Sequence, residues 1–398
     1  MTNDNKSVKN QLDLKELFLK REVWVIFIIL VLLTLLFNRS GVNILLTIFI
    51  DFAVFAIITM SLNLETGYTG IPQFGRVAAV IIGAFAVGAI PGRIIAMFMG
   101  LPYGAEYASD SVNFRLVPEI NQLLASSWLI SLGFLVFSLL IAAICGAGIG
   151  WLISRPAIRL KEGYLGISLL AFGDFFMWVG HNWKGMVGGS VPVSVPDPFR
   201  IFAGDRFMVI VLVIFVIAFL VFIYLQKLTR SPFGRSLRMI RDNDLSAGAA
   251  GKNIVSVRTQ SLVIGSAIAA LGGGLYVLYV GSMASIGFTK LTFTFWPWAF
   301  MMLGGIGSNL GVLLGVFLLT ILRTMIVIFR SQWFGFLLTI GIDPLWLEFT
   351  LMGAVIIIVI LFMPHGLVPE KVEPMLPKSR VKQIIERRQL ARGESSTS

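Results

Sequence analysis

The chain is poor in the residues that soluble enzymes use for chemistry and solvation. Its 398 residues include one cysteine, two histidines and only 13% charged residues, whereas charged residues make up about 25% of an average soluble domain. The single cysteine, Cys145, cannot form an internal disulfide, so cysteine usage does not indicate a redox compartment. A metal site built from histidine and cysteine is not expected. These shortages exclude a soluble enzyme and a disulfide-stabilised domain.

Motifs for phosphate binding and covalent catalysis are also missing. The sequence G-x-x-x-x-G-K-[ST] does not occur, because Gly251 and Lys252 are followed by asparagine and lack the upstream glycine. His181 and His365 lie at the ends of apolar runs and form no Ser/His/Asp set. We therefore expect no catalytic residue, metal, cofactor or enzymatic activity in this chain.

Long apolar runs separated by polar segments make up most of the chain. Hydrophobic residues account for 57% of it, and there are 40 glycines, which are more frequent in membrane helices than in soluble ones. Because roughly 20 apolar residues span a bilayer as a helix, we predict an all-α polytopic membrane protein with about ten transmembrane helices. The predicted runs are 23–38, 42–64, 77–98, 127–153, 163–180, 207–226, 259–281, 292–306, 309–329 and 345–363.

Basic residues are unevenly divided between the polar segments. With a cytoplasmic N terminus and ten crossings, the cytoplasmic side holds 23 Lys and Arg residues, Arg76 among them, and the other side holds nine. The positive-inside rule therefore predicts two cytoplasmic termini, and it explains the net charge of +11 without nucleic acid. We predict a cytoplasmic segment 1–22, a transmembrane domain 23–366 and a cytoplasmic tail 367–398 in a multi-pass protein of the cell (inner) membrane.

The longest basic segment between apolar runs is 227–258. Its part from Gly234 to Ala250 contains no proline, and Leu237, Ile240 and Leu245 lie three to five residues apart. This spacing predicts a short, exposed amphipathic helix. Its charged residues belong either to a contact with another protein or to an ordinary solvated face.

Four charged residues lie within or near apolar runs: Asp51, Asp174, Arg323 and Glu348. A charge at the centre of a membrane helix costs about 2.5–3.5 kcal/mol on insertion scales, so it usually has a partner or faces a wet path. Asp51 and Arg323 are the deeper two, and they either pair with each other or line a translocation path. Asp174 and Glu348 lie near enough to helix ends for snorkelling or capping.

Two glycine-rich segments, 64–75 and 303–311, interrupt the helical pattern in the two halves of the chain. Paired interruptions of this kind point to inverted repeats with a substrate path at their interface, and ordinary loops between helices are the alternative. Four-residue glycine spacing, at Gly146 and Gly150 and at Gly307, Gly311 and Gly315, predicts close helix packing and identifies no function.

Several motifs, in the same order, resemble those of the LivM-type permeases of branched-chain amino-acid ABC importers. The likeness covers about residues 42–366, and its most diagnostic part is SPFGRSLRMIRDNDLSAGAAGKN at 231–253. The other matching stretches are SLNLETGYTGIPQFG (61–75), YLGISLLAFGDFF (164–176), NWKGMVGGS (182–190) and MLGGIGSNLGVLLG (302–315).

The resemblance implies an ABC importer permease fold and a division of labour between subunits. Two cytoplasmic ATPases would drive alternating access, a second related permease would share the path, and an external substrate-binding protein would deliver a branched-chain or related apolar amino acid. The 234–254 helix would be the coupling helix that sits in an ATPase cleft. The residues placed in this coupling segment are Arg235, Arg238, Asp242, Asp244 and Gly251.

The interrupted segments and two of the charged residues are expected to border the substrate route. This set consists of Asp51, Gly67, Gly70, Gln73, Gly75, Asp174, Gly304 and Gly305. The chain departs from the family pattern at Gln73-Phe74-Gly75-Arg76 and in having aspartate rather than glutamate at Asp174. Other cargoes, namely urea, short amides or sugars, therefore stay open, as do a self-contained secondary transporter and a membrane enzyme or channel.

Overall fold

The computed structural model describes residues 42–160, 162–334, 345–363 and 366–370. The predicted N-terminal segment 1–22, the first apolar run 23–38 and the tail from residue 371 lie outside the described residues. The apolar runs within the described ranges are helical, because a helix satisfies its backbone N–H and C=O groups internally and leaves none to lipid.

The described residues form long helices, a few short turns of helix and one small sheet. The α-helices are α1 (Val42–Leu62), α2 (Arg76–Ala89), α3 (Pro91–Phe98), α4 (Asp110–Ser126), α5 (Trp128–Arg159), α6 (Glu162–Asn182), α7 (Lys184–Val187), α8 (Arg206–Arg230), α9 (Pro232–Asp242), α10 (Asp244–Ala249), α11 (Ile254–Val280), α12 (Trp296–Gly304), α13 (Asn309–Phe334) and α14 (Leu345–Phe362). A π-helical turn at Asn63–Tyr68 extends α1, and another at Leu291–Phe295 precedes α12. The 3-10 turns are Ala105–Ala108, Arg200–Asp205 and Ser285–Gly287, and strand β1 (Val193–Ser194) pairs antiparallel with β2 (Ser282–Met283).

Seven helical segments in the described residues are long and apolar enough to cross a membrane. They are Leu45–Tyr68, Arg76–Phe98, Trp128–Pro156, Gly163–Asn182, Arg200–Arg230, Ile254–Val280 and Asn309–Val327. The predicted run 292–306 corresponds to the second π turn and α12, which are only 5 and 9 residues long. The predicted run 345–363 corresponds to α14. Ten crossings and two cytoplasmic termini therefore stay predictions.

Helix α11 lies at the centre of the bundle and packs against α5, α2 and α1. In α1 and α11, 72% of the most apolar stretch is buried inside the chain, against 28% in α6 and 33% in α5 and α8. The outer helices α5, α6 and α8 thus turn apolar surface outward. Exposed apolar surface of this extent is typical of a protein that contacts a membrane or another subunit.

The glycines at four-residue spacing in α5 are where that helix meets α11. A Cβ atom on Gly146 would lie 2.3 Å from the Cβ of Ala270, and one on Gly150 would lie 2.5 Å from the carbonyl oxygen of Leu262. The predicted close packing at this pair is confirmed, since no larger residue fits without moving a backbone.

The segment between α8 and α11 contains four basic residues, Arg235, Arg238, Arg241 and Lys252, and we call this end of the bundle the basic end. Helix α9 begins where Ser231 caps the backbone N–H of Phe233 and Pro232 occupies the first turn. The predicted single helix is wrong, because Asn243 adopts an extended conformation and its side chain caps α10 at Ser246 N. Leu237 is buried, whereas Leu245 on α10 is 85% exposed.

The opposite end of the bundle contains α4 and the two-stranded sheet. The polar segment between the predicted runs 77–98 and 127–153 includes the regular helix α4 with Pro118 inside it. Two buried amides hold this helix to the following segment: Asn113 Oδ1 accepts from Ser194 N at 2.8 Å, and Asn121 Oδ1 accepts from Asp197 N at 2.8 Å. This end is therefore an ordered cap rather than an extended loop.

Replacing Gly146 by Leu is expected to destabilise the α5–α11 contact by about 1–3 kcal/mol, because the added side chain overlaps Ala270 and the backbone of Ser266. Thermal unfolding of the purified protein in detergent measures the effect. Gly148→Leu is the matched control, since nothing lies within 4 Å of a Cβ at that position of the same helix. Equal melting temperatures for the two variants would contradict the packing argument.

Candidate functional site

The two glycine-rich interruptions predicted from the sequence meet at the basic end. The amide of Gly307 donates to Asn63 Oδ1 at 2.9 Å, and a Cβ on Gly67 would lie only 2.8 Å from Gly307 N. The inverted repeats predicted from these interruptions stay a prediction. The two segments form one junction.

Buried amides hold this junction together. Asn63 Nδ2 donates to Asn309 Oδ1 at 3.1 Å, and Asn309 Nδ2 donates to Thr229 Oγ1 at 3.2 Å. All three side chains are buried. Hydrogen bonds in such surroundings are strong and costly to break, because an unpaired buried amide loses its interactions with water as well. The ends of α1 and α8 and the start of α13 are therefore tied together.

Arg241, in the last turn of α9, links this junction to the basic end. Its Nη1 donates to the carbonyl oxygen of Gly67 at 2.6 Å and lies 2.8 Å from Glu370 Oε2. Gly70 also lies against this side chain, since a Cβ there would be 3.0 Å from Arg241 Cγ. The same carboxylate lies against Gly307, where a Cβ would be 2.8 Å from Glu370 Oε2. One guanidinium thus connects α9 with both interruptions.

The segment after α14 completes the junction. Leu367 N donates to Leu303 O at 2.8 Å and Val368 N donates to Gly304 O at 3.0 Å, so this segment runs along the end of α12. Arg238 lies 3.8 Å from Glu370 Oε1. Burial lowers the pKa of Arg241, but the hydrogen bond and the charge of Glu370 more than offset this effect and the pKa is raised. Arg241 therefore stays charged at all physiological pH values.

A second feature is an ion pair buried inside the bundle. Glu65 and Arg76 are in contact, and neither side chain is exposed to solvent. Gln73 Nε2 donates to Glu65 Oε2 at 2.8 Å, and Gln73 Oε1 accepts from Gly75 N at 3.1 Å. The side chain of Gln73 is therefore part of this cluster. Counting Arg76 as a loop charge was wrong, because the residue begins α2 inside the bundle.

The charged residues expected along the route occupy two further places. Asp174, on α6, pairs with Lys290 at 2.8 Å, and it lies 11 residues from one end of the span Gly163–Asn182 and eight from the other. Snorkelling from a helix end therefore does not explain it. Asp51 and Arg323 interact electrostatically, and the guanidinium of Arg323 lies 5.7 Å from the ring of Phe55.

The remaining coupling residues differ in their surroundings. Arg235 and Asp242 are exposed on α9, whereas Asp244 forms a two-pronged contact with Arg258 at 3.1 and 2.8 Å that holds α10 against α11. Gly251 lies in the turn before α11 with a φ of +74°. The coupling role assigned to these residues stays a prediction.

The glycines expected along the route lie in tight contacts. Gly75 packs on the carbonyl oxygen of Leu169 in α6. Gly304 touches the next helix through its backbone, since a Cβ there would lie 2.1 Å from Gly311 O, and Gly305 follows it with a φ of +118°. These positions form close contacts between segments, and a lining role for them stays a prediction.

Comparison with known proteins identifies the family. A family model described as the permease component of the branched-chain amino acid transport system matches residues 44–360. The chain belongs to this family. This membership, together with the seven apolar helices of the described residues, makes it a multi-pass membrane protein of the transport permease class.

Individual relatives carry the same description. A probable branched-chain amino acid transport permease, LivM, of Methanocaldococcus jannaschii is 34% identical over 347 residues, which cover 87% of this permease and 99% of the relative. LivM of Escherichia coli is 24% identical, with 68% of this chain and 63% of the relative covered. LivH of Salmonella typhimurium is also 24% identical, with 76% and 94% covered. No solved structure gives a significant match.

Six residues of the junction and its surroundings were missed from the sequence: Arg241, Glu370, Asn63, Asn309, Thr229 and Glu65. Arg241 begins the motif RDND, but it is one of several basic residues between residues 227 and 258, and nothing in the spacing distinguishes it from the others. A usable signal existed for Asn63 and Asn309, since each interruption carries one asparagine beside its glycines. In the described residues no group of three His, Cys, Asp or Glu side chains could hold a metal ion.

Replacing Arg241 by Gln is expected to loosen the junction by about 1–3 kcal/mol, because the ion pair to Glu370 and the bond to Gly67 O are both lost. Backbone amides of 63–72 and 304–311 should then exchange with deuterium roughly tenfold faster or more. Arg235→Gln, an exposed arginine of the same helix, is the control. Equal exchange in the two variants would show that Arg241 does not hold the interruptions.

Proposed function

We propose that the chain is the transmembrane permease subunit of an ATP-driven importer for branched-chain or related apolar amino acids. It crosses the cell (inner) membrane ten times with both termini in the cytoplasm, and the basic end faces the cytoplasm. Family membership and the names of the relatives support the substrate class. Transport proceeds by alternating access, and no chemistry occurs on this chain.

The observation that carries the proposal is the set of contacts made by Arg241. Helices α9 and α10 lie at the basic end and have exposed surfaces, while Arg241 reaches from α9 to both interruptions of the bundle. A movement imposed on α9 from outside is therefore transmitted to the ends of α1 and α12. This is what a coupling helix has to do in a chain whose sequence lacks the motif G-x-x-x-x-G-K-[ST].

The partners follow from this division of labour. Two ATPase subunits supply the motion, and each permease offers one coupling segment to one ATPase. A second, related permease shares the substrate route, and the apolar surfaces of α5, α6 and α8 are available for it and for membrane lipid. An external substrate-binding protein delivers the amino acid to the end of the bundle that carries α4.

Leu245 is the side chain of α10 that we expect to enter the ATPase cleft. It is 85% exposed although its neighbour Ala247 is fully buried. A large apolar side chain projecting from a charged segment is typical of the buried centre of a protein interface. Asp242 and Arg235, at exposed positions of the preceding helix α9, are expected to form the polar rim.

Reconstitution of the purified chain in proteoliposomes tests the proposal directly. With a sister permease, the ATPase pair and the binding protein present, leucine should accumulate only when ATP is enclosed with the ATPases. Vesicles that contain this chain alone should not accumulate leucine. Uptake by the chain alone that collapses with an ion gradient would establish the secondary transporter instead, and ion current from the chain alone would establish a channel.

Replacing Leu245 by Ser is expected to reduce ATP-driven uptake roughly tenfold or more, since an interface anchor contributes about 2 kcal/mol. The thermal stability of the isolated permease should stay unchanged, because the side chain is exposed. Ala250→Ser, another exposed position just after α10, serves as the control. Wild-type uptake by the Leu245→Ser importer would remove Leu245 from the coupling interface.

A further inference from the structure

Asp174 lies near the centre of the apolar span Gly163–Asn182, where it pairs with Lys290 from a different segment. Asp174 is 11 residues from Gly163 and eight from Asn182, or roughly 16 and 12 Å from the two ends of the span at 1.5 Å per residue. Lys290 immediately precedes the π turn that leads into α12. Both charges therefore lie within the depth of a hydrocarbon layer about 30 Å thick.

This pair is not enclosed by the chain. The side chain of Asp174 is 49% exposed and that of Lys290 is 30% exposed, whereas Glu65 and Arg76 are not exposed at all. Charged groups at this depth are costly in contact with lipid, and those that occur face a bundle interior or a water-filled cavity. The open side of the pair is therefore directed at a wet route or at another subunit, not at lipid.

The side chains around the Asp174–Lys290 pair are polar near Lys290 and aromatic further toward the basic end. The hydroxyls of Thr289 and Thr292 lie 3.0 Å apart directly beside Lys290. Toward the basic end, Phe74 stacks on Trp298 with ring centroids 4.8 Å apart at 13°. Trp298 Nε1 donates to Gln73 O at 3.1 Å, which fixes this aromatic pair on the interrupted segment. A charged, hydroxyl-bearing surface is thus followed by a flat apolar one.

We infer that Asp174 and Lys290 form a subsite for the zwitterionic head group of an amino acid within the membrane. The substrate ammonium binds the Asp174 carboxylate and the substrate carboxylate binds the Lys290 ammonium, so that two ion pairs replace one. Phe74 and Trp298 then provide the surface along which an apolar side chain moves. This inference rests on the proposed function and assigns its substrate contact to named residues.

A partly exposed ion pair allows substrate to bind without leaving a charge unpaired, because the substrate's two charges replace the contact between Asp174 and Lys290. Each charge keeps a counter-ion in the empty site, so the empty site carries no isolated charge in the membrane. A bound zwitterion brings no net charge, and therefore neither loading nor release leaves an uncompensated charge. A substrate that lacks the ammonium or the carboxylate would break the existing pair without replacing both contacts.

The experiment uses the complete importer in proteoliposomes and the double variant Asp174→Asn/Lys290→Met. We expect uptake of leucine per ATP hydrolysed to fall about tenfold or more, because two charge-assisted contacts are lost. ATP hydrolysis stimulated by the binding protein should stay near the wild-type rate, since the variant leaves α9 and α10 unchanged. The control is Asp110→Asn/Lys184→Met, which removes one exposed charge of each sign outside the spans.

Photo-crosslinking supplies a readout that does not depend on transport. A diazirine analogue of leucine should label 163–182 or 285–300 of this chain, and excess leucine should compete while 3-methylbutylamine and 4-methylpentanoate should not. Labelling should disappear in the double variant. Labelling confined to the sister permease, or unchanged in the double variant, would overturn the subsite.

An importer in which the charges of Asp174 and Lys290 are exchanged distinguishes a substrate-binding role of the pair from a purely structural one. If the pair only fastens α6 to the π turn, Asp174→Lys/Lys290→Asp restores the contact and uptake per ATP returns, which would overturn the inference. If the pair binds substrate, the reversed polarity turns the amino acid around and uptake stays low. Failure of the proposed function is recognised differently, because the wild-type importer would then show no ATP-dependent uptake at all.

Discussion

The guanidinium of Arg241 is bonded at once to the backbone of the first interruption and to the carboxylate of Glu370, and the geometry of the basic end depends on it. Without this side chain, α9 would touch the bundle mainly through the buried residues Leu237 and Ile240, an apolar contact that allows sliding. Directional, charge-assisted bonds instead fix α9 relative to Gly67 and Gly307. The junction therefore moves as a unit with the helix that carries it.

The buried side-chain hydrogen bonds of the junction determine which helix ends move together with α9. Asn63, Asn309 and Thr229 join the ends of three helices by hydrogen bonds that have no access to water. Because breaking any of them leaves a buried polar group unpaired, the three helix ends are expected to shift together rather than separately. Helices α1, α2 and α5 also pack against the central α11, which connects the junction to the rest of the bundle.

The sequence predicted the helices well and the polar contacts poorly, for physical reasons. Apolar length determines a membrane helix, so the runs at 42–64, 127–153 and 309–329 match observed spans. The break at Asn243 was missed because the apolar spacing from Leu237 to Leu245 continues across it, although asparagine before Asp244 is a usual start of a helix. Contacts between distant segments cannot be recognised from local spacing.

The same limit affected the charges. Arg76 and Lys290 each stand beside an apolar run, where a basic residue ordinarily belongs to a loop. Arg76 instead pairs with the fully buried Glu65, and Lys290 pairs with the half-exposed Asp174. A basic residue in a loop differs from one in an ion pair only by its acidic partner. Local spacing did not match Glu65 with Arg76 or Asp174 with Lys290. Glycine content and charge located the interrupted segments and the basic segment 227–258, and the motif resemblance added the expected coupling role.

The buried pair between Glu65 and Arg76 also bears on how the protein is made. The two residues stand on either side of a single tight bend, at the end of the extended α1 and the start of α2. Separate entry of the two helices into the bilayer would expose each charge to hydrocarbon, whereas entry as a hairpin neutralises both beforehand. Burial of either charge without the other would cost about 3–5 kcal/mol, so α1 and α2 are expected to come together as a hairpin.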